Sequence, residues 1–176
     1  LLAAAAFPMA VTPARAAQET PRAAADITGR LARYMVEARS RTLPAVVLRE
    51  AKHRILDTLG AIVSGSHLTP GEMAIKFIRT QGGTPEASIF STNIKTSAIN
   101  VALVHGMFAH ADETDDFEPL TKAHPGCAVV PGAFAMAERE GRSGAELISA
   151  VVLGYDLCCR FLVALGPDHV RAKIGR

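Results

Sequence analysis

Apolar residues recur every three or four positions along most of the chain, which is the spacing of amphipathic helices. The first such stretch follows Asp26, a residue type that caps helices, and comprises Ile27, Leu31, Tyr34, Met35 and Ala38. A second is predicted to start with Pro44 in its first turn and to end at Gly65, with one apolar face formed by Leu48, Ile55, Leu59 and Ile62.

The middle of the chain predicts two more helices of different character. Thr69 and Glu72 have the spacing of a capping box, so a short helix is predicted to begin there and to stop at Gly82. Residues 84–93 are predicted to be a loop or a short extended piece. From Ser97 onwards, residues 98–104 are apolar nearly all round, which predicts a helix buried within a bundle. Its stripe of Ile99, Leu103, Gly106, His110 and Glu113 changes from apolar to ionisable at the carboxyl end.

Two helices are predicted in the last third of the chain. One follows His124, Pro125 and Gly126 and reaches Gly141, with Pro131 expected to kink it or to delay its start. Ser143 and Glu146 form a second capping box for the other helix, which Gly166 ends. Its inward positions are predicted to be Leu147, Val151, Tyr155, Cys158, Phe161 or Leu162, and Leu165. With no strand series and no internal repeat, the sequence predicts an all-α antiparallel bundle.

Composition limits the classes of function. At 176 residues, with 49% hydrophobic and 20% charged residues, the chain suits one domain with one core. The net charge of +2 is spread along the sequence, and there are two Tyr and no Trp to stack on bases. Nucleic-acid binding is therefore not predicted, whereas a small anionic ligand is compatible with this charge.

The amino-terminal segment resembles an export signal. Residues 1–11 are apolar and rich in Ala, and the Ala-rich sequence ARAA at positions 14–17 resembles a cleavage site. We interpret residues 1–17 as a signal for export to the periplasm, residues 18–25 as a linker and residues 26–176 as the helical domain. The alternative is a disordered Ala/Pro-rich tail on a cytoplasmic protein. No other segment is predicted to be long and apolar enough to cross a membrane.

The three cysteines do not indicate a metal ribbon or a disulfide scaffold. Cys127, Cys158 and Cys159 form no CxxC pair, and an odd number cannot all be paired within one chain. We interpret them as small buried apolar residues. A hydrolase using Cys127 as its nucleophile has no local signature to support it.

Chemically active residues are concentrated in residues 110–126, HADETDDFEPLTKAHPG. A buried helix that delivers His110 and Glu113 towards a loop ending at His124 could hold an acid and a base on opposite sides of a small substrate. That arrangement suits elimination or epimerisation beside a carboxylate. The sequence leaves open which carboxylate, Glu113, Asp115 or Asp116, acts as the base.

A metal site is the competing hypothesis for an enzyme. His110, Asp112, Glu113 and Asp116 are all plausible ligands. However, His105 and His110 are five residues apart and do not share a helical face as the histidines of HExxH do. The prediction is therefore that no metal is bound.

Six short segments in order resemble the MmgE/PrpD family. They are RILDTLGA at 54–61, GMFAHA at 106–111, Asp115-Asp116, His124-Pro125-Gly126, AMAE at 135–138 and GYD at 154–156. The family includes 2-methylcitrate dehydratase, cis-aconitate decarboxylase and iminodisuccinate epimerase. The resemblance implies a helical domain with an α/β lid domain that would lie beyond residue 176. It also implies a homodimer without metal or organic cofactor, acting on a small polycarboxylate.

The resemblance further implies roles for residues of this sequence. Glu113 occupies the family's acidic position, where many members have Asp, and His124 is the motif histidine. Two departures are Phe117, where some members have Thr, and a loop before His124 that is one residue longer than in the decarboxylase type.

We therefore predict a cofactor-independent lyase or isomerase in which His124 shares proton transfer with Glu113, Asp115 or Asp116. His110 is expected to orient or complete that group, and Lys122 is the candidate substrate-binding cation. The alternative from a different class is a non-catalytic helical dimerisation module or a truncated pseudoenzyme.

Overall fold

The computed structural model describes residues 26–120 and 122–166. The export signal and linker predicted for residues 1–25 lie outside these ranges, as do the last ten residues assigned to the helical domain. Within them the helices are α1 Ile27–Ala38, α2 Ala45–Gly65, α3 Thr69–Gln81, α4 Ala98–Ala109, α5 Gly126–Arg139 and α6 Gly144–Leu165. Strands β1 Ala87–Ser88 and β2 Lys95–Thr96 pair antiparallel in the stretch between α3 and α4. The prediction of an all-α fold is confirmed.

Side-chain caps explain where several helices begin. The Asp26 carboxylate accepts from the backbone N–H of Gly29, and the Ser97 hydroxyl accepts from Asn100. At α6 the predicted reciprocal capping box between Ser143 and Glu146 is confirmed.

The capping box predicted at α3 is wrong. Leu68 is the N-cap, and no side chain caps the helix, because Thr69 already lies inside it as the first residue. Of the two outcomes expected at Pro131, a kink or a delayed start, the delayed start is also wrong, since α5 begins at Gly126 and contains Pro131 in its interior.

Helix α4 is the centre of the fold and packs against α2, α3 and α5. Its buried face contributes the largest buried side chain, Phe108, to the core. Gly65 of α2 lies so close to the Phe108 carbonyl oxygen that a Cβ at position 65 would collide with it. The core also contains Ile62, Ala74, Ile78, Ala87, Ile89, Ala98, Val101, Val104, Ala109 and Ala135.

The prediction that α4 is buried all round is wrong for one face. Ile99 is 79% exposed, and Leu103 and Met107 on the same side are also largely exposed. The described elements pack on the other side of this helix, around Val101 and Val104. Hydrophobicity alone therefore did not distinguish a helix covered on every side from one covered on part of its circumference.

Helix α6 is less buried than its apolar sequence predicts. Only Val151 is fully buried, and of the residues predicted to point inward, Phe161 and Leu165 are exposed. By length and composition α6 could cross a membrane, with a mean hydropathy of 1.8 over its most apolar window, so the prediction that no such segment exists is wrong. Length and composition alone are weak evidence of a span, and α6 also packs against α5 and α2.

His105 is a buried neutral imidazole in the core. Its Nε2 accepts a hydrogen bond of 2.9 Å from the backbone N–H of Phe90, and the two rings stack with centroids 4.3 Å apart. Burial lowers the pKa of His105 from 6.5 to about 4, because the charged form would lose its hydration. Between these values the unfolded chain binds more protons than the folded chain.

Acidification should therefore destabilise the fold through His105. The stabilisation associated with its neutral form is complete above pH 6.5 and is lost as the pH falls to about 4, with a full effect of about 3 kcal/mol. Urea unfolding across this pH range should show a smaller loss of stability for His105→Gln, which keeps an acceptor but cannot be protonated. Equal losses in the two proteins would contradict the assignment.

Candidate active site

Asp115 lies buried between two histidines. His110 Nδ1 is 3.1 Å from both Asp115 carboxylate oxygens, and His124 Nδ1 is 3.5 Å from Oδ1. The Asp115 side chain is 0% exposed, whereas those of His110 and His124 are 41% and 32% exposed. The carboxylate is thus shielded from solvent while both imidazoles remain accessible. We call these three residues the His–Asp–His cluster.

Two separate elements bring the imidazoles together. His110 is the C-cap of α4 and donates its backbone N–H to the Gly106 carbonyl, while His124 immediately precedes Pro125, the N-cap of α5. The rings meet edge to face with centroids 5.1 Å apart. The predicted convergence of the end of a buried helix with the His-Pro-Gly turn is confirmed.

Asp116 has a different environment from its neighbour. Its Oδ1 accepts from the backbone N–H of Gly126 and its Oδ2 from the Tyr155 hydroxyl, both at 2.7 Å. Burial and this hydrogen bond raise the pKa of Tyr155, so its hydroxyl stays protonated and keeps donating. Asp116 thereby connects the start of α5 to α6, and a carboxylate is favourable at a helix N-terminus.

Gly126 is required by the close packing around Asp116. A Cβ at this position would lie 2.6 Å from Asp116 Oδ1, 2.8 Å from Thr58 Oγ1 and 3.0 Å from the Tyr155 hydroxyl. No larger residue fits without moving the α5 terminus that follows His124. The glycine of the His-Pro-Gly tripeptide therefore has a packing role in the structure.

Glu113 lies on the exposed loop after α4. The helix ends at Ala109, so Glu113 does not continue the stripe of His110 as predicted; it has a left-handed backbone with φ 55°. Asp112 shapes this turn, because its carboxylate accepts from Thr114 and Ser64 and these bonds lower its pKa. Within the described ranges, no hydrogen bond joins Glu113 to the His–Asp–His cluster.

Phe117 and Lys122 are exposed residues near His124. The Phe117 ring centroid is 5.6 Å from that of His124, and Lys122 Nζ lies 5.7 Å from the Phe117 centroid, in a cation–π arrangement. Lys122, like Glu113, has a left-handed backbone, with φ 62°. The candidate cation thus lies over the Phe117 ring, which is itself next to His124.

Cys127 lies close to the cluster, although the sequence predicts it to be an ordinary buried apolar residue. Its thiol donates to the His124 carbonyl at 3.1 Å. Burial, together with the neighbouring Asp115, raises the pKa of Cys127 to about 12, which keeps it a neutral thiol and a poor nucleophile. Beside it runs an open groove lined by Pro70, Ala102, Leu103, Gly106, Met107, His110, Ala111 and Cys127.

The metal ligands considered from sequence do not form one group. Asp116 has both oxygens occupied by Gly126 and Tyr155, and Asp112 is bound by Ser64 and Thr114. Among the described residues, His110 is instead grouped with Asp115 and Cys127. Of the predicted site residues, the structure therefore brings together His110, Asp115 and His124.

Comparison with known proteins gives one family. A sequence profile of the MmgE/PrpD N-terminal domain matches residues 29–175. The cis-aconitate decarboxylase-like protein oryM of Aspergillus oryzae is 28% identical over 138 residues, which cover 74% of this chain and 29% of that protein. The cis-aconitate decarboxylase of Aspergillus terreus is 22% identical over 135 residues, covering 74% and 28%. The chain therefore spans less than a third of the length of these relatives.

Proposed function

The chain belongs to the MmgE/PrpD family, and from this membership and the His–Asp–His cluster we propose that it forms the helical part of a lyase acting on a small polycarboxylate. The observation that carries the proposal is the buried Asp115 carboxylate facing two accessible imidazoles. The family supplies the reaction class, and the cluster supplies groups able to move protons.

The geometry favours the two imidazoles as the proton-transfer pair. Each Nδ1 faces Asp115, so each ring directs its Nε2 away from that carboxylate. An imidazole that donates its Nδ1 proton to Asp115 has a lone pair on Nε2 and can act as a base. A protonated imidazole in the same position can donate its Nε2 proton and act as an acid.

We propose that the reaction begins at a carbon next to a substrate carboxylate. One imidazole of the cluster removes a proton from that carbon, and the other protonates the leaving group or the product. Asp115 orients both rings and neutralises the positive charge that each carries when protonated. Asp116 is a positioning residue, since it holds the backbone of Gly126 two positions after His124.

Lys122 is our candidate for binding a substrate carboxylate. It is exposed and lies over the Phe117 ring, and an ammonium group offsets the charge of an anionic ligand. Because Phe117 occupies a position where some family members have Thr, we propose the substrate as a class, the small polycarboxylates. Glu113, which lies on the same loop as Phe117 and Lys122, is the candidate for a further proton-transfer role.

Direct assay tests this function. We expect the protein to convert at least one of cis-aconitate, 2-methylcitrate and iminodisuccinate, followed by proton NMR in deuterated buffer, where exchange at carbon reports proton removal. The assay should be run on this chain and on any longer product of its gene.

Chelation separates the proposed mechanism from a metal-dependent one. Turnover should persist in EDTA, because the proposed acid and base are imidazoles. Activity that EDTA abolishes and a divalent cation restores would contradict the proposal. A well-folded dimer that converts none of the acids would favour the non-catalytic module.

A further inference from the structure

Four potential metal ligands of three chemical types meet at the end of α4 and the start of α5. One ligand atom from each of His110, Asp115 and Cys127 lies within 4.8 Å of the others. His124 Nδ1 lies 3.5 Å from Asp115 Oδ1, is buried, and has no hydrogen-bond partner. Cys127 has no part in the proton transfer proposed above, so its place in this group calls for a separate account.

We propose that His110, Asp115, Cys127 and His124 form a binding site for a thiophilic divalent cation such as Zn²⁺. In a tetrahedral zinc site the metal lies about 2.0 Å from nitrogen or oxygen and about 2.3 Å from sulfur, which places the ligand atoms roughly 3.3–3.8 Å apart. Asp115 is already at such distances from the two imidazoles, 3.1 Å from His110 and 3.5 Å from His124. The ligand atoms of His110, Asp115 and Cys127 lie within 4.8 Å of one another, so the thiol and the His124 ring must move closer when a cation binds.

The ligand set favours zinc or cobalt over magnesium or calcium. A thiolate and two imidazoles are soft or intermediate ligands, whereas magnesium and calcium prefer oxygen. Without a cation, the Cys127 thiol donates to the His124 carbonyl, and His110 contacts Asp115 through Nδ1. A cation would take the place of the protons in these contacts, because a thiolate and an imidazole coordinate through atoms that are not protonated.

Occupation of this site would block proton transfer. A cation coordinated by both imidazole Nδ1 atoms and by Asp115 would take the groups that orient the proposed acid and base. We therefore expect Zn²⁺ to inhibit turnover. Cation binding itself does not depend on the proposed lyase activity, and it can be measured on protein that converts no substrate.

Cobalt spectroscopy provides the test. Titration of the metal-free protein with Co²⁺ should produce a sulfur-to-cobalt charge-transfer band, which Zn²⁺ removes by competition and Mg²⁺ does not. The double variant C158S/C159S keeps Cys127 as the one cysteine of the sequence and should retain the band. Cys127→Ser should lose it.

A second variant protects the test against misfolding. His110 is partly exposed at a helix end, and His110→Gln should weaken cobalt binding by roughly a hundredfold or more, because losing even an outer-shell partner of a metal ligand costs about 10–100-fold. Circular dichroism would establish that each variant is folded. If Cys127→Ser does not fold, the cobalt affinity of His110→Gln decides whether the proposed site exists.

Specific results would overturn the inference. These are absence of the band in the wild-type protein, its persistence in folded Cys127→Ser, its loss in C158S/C159S, or unchanged affinity in His110→Gln. Turnover without cobalt binding would remove the cation site and leave the lyase proposal intact. Cobalt binding without turnover would remove the lyase proposal and leave the cation site intact.

Discussion

Replacing Asp115 by Asn is expected to lower kcat by roughly 10²–10⁴-fold, the range that general acid–base catalysis contributes. Asn has nearly the same shape but no charge, and its amide nitrogen cannot accept the proton of an imidazole. One side chain would therefore fail to orient and stabilise both His110 and His124 at once. The KM should change less than kcat, because the buried Asp115 side chain is screened from a ligand.

Asp112→Asn is the matched control for this experiment. Asp112 belongs to the same loop, but its carboxylate contacts Ser64 and Thr114 instead of the histidines. It should retain most of the activity. Thermal unfolding of both variants would show whether they are folded at the assay temperature. Equal loss of kcat in folded Asp112→Asn and Asp115→Asn would contradict the central role given to Asp115.

The sequence was sufficient for features that depend on neighbouring residues. The predicted caps at Asp26 and Ser143 involve residues three positions apart, and both form. The order of the helices also follows from local periodicity. At α3 the same reasoning misplaced the start, because Thr69 and Glu72 fit the spacing of a capping box while the backbone was already helical at Thr69.

The choice among the carboxylates required the three-dimensional path of the loop. Asp115 and Asp116 are adjacent in sequence, yet one faces two imidazoles and the other faces Gly126 and Tyr155. Two features determine this path: the left-handed turn at Glu113, and contacts with residues far along the chain. Neither has a signature in the order of amino acids, so the sequence left Glu113, Asp115 and Asp116 as equal candidates.

The position of Cys127 beside Asp115 could not be predicted from the sequence either. From sequence it is a small apolar residue one position after the His-Pro-Gly tripeptide. Its proximity to Asp115 arises because α5 begins at Gly126, which aims the first turn of that helix at the end of α4. The sequence predicted a helix after this glycine, but it carried no signal for the direction of the first turn.

Replacing Phe108 by Ala is expected to reduce the free energy of unfolding by about 3–5 kcal/mol, the usual cost of truncating a fully buried Phe. Phe108 is the largest fully buried side chain of the described residues, and α2, α3 and α5 surround the helix that carries it. Truncation would leave a cavity in the buried core. Phe77→Ala is the matched control, since Phe77 on α3 is 51% exposed and should cost about 1 kcal/mol or less.

The same substitution should also disturb the candidate active site. Phe108 precedes His110 by two residues, and its carbonyl accepts the backbone N–H of Ala111 at 3.1 Å in the turn that ends α4. The cavity left by Phe108→Ala would let this turn move, and His110 would move with it. Urea unfolding measures the stability of both variants, and kcat at a temperature where both are folded measures the effect on the site. Equal destabilisation by Phe108→Ala and Phe77→Ala would mean that α4 is not the centre on which the core and the His–Asp–His cluster depend.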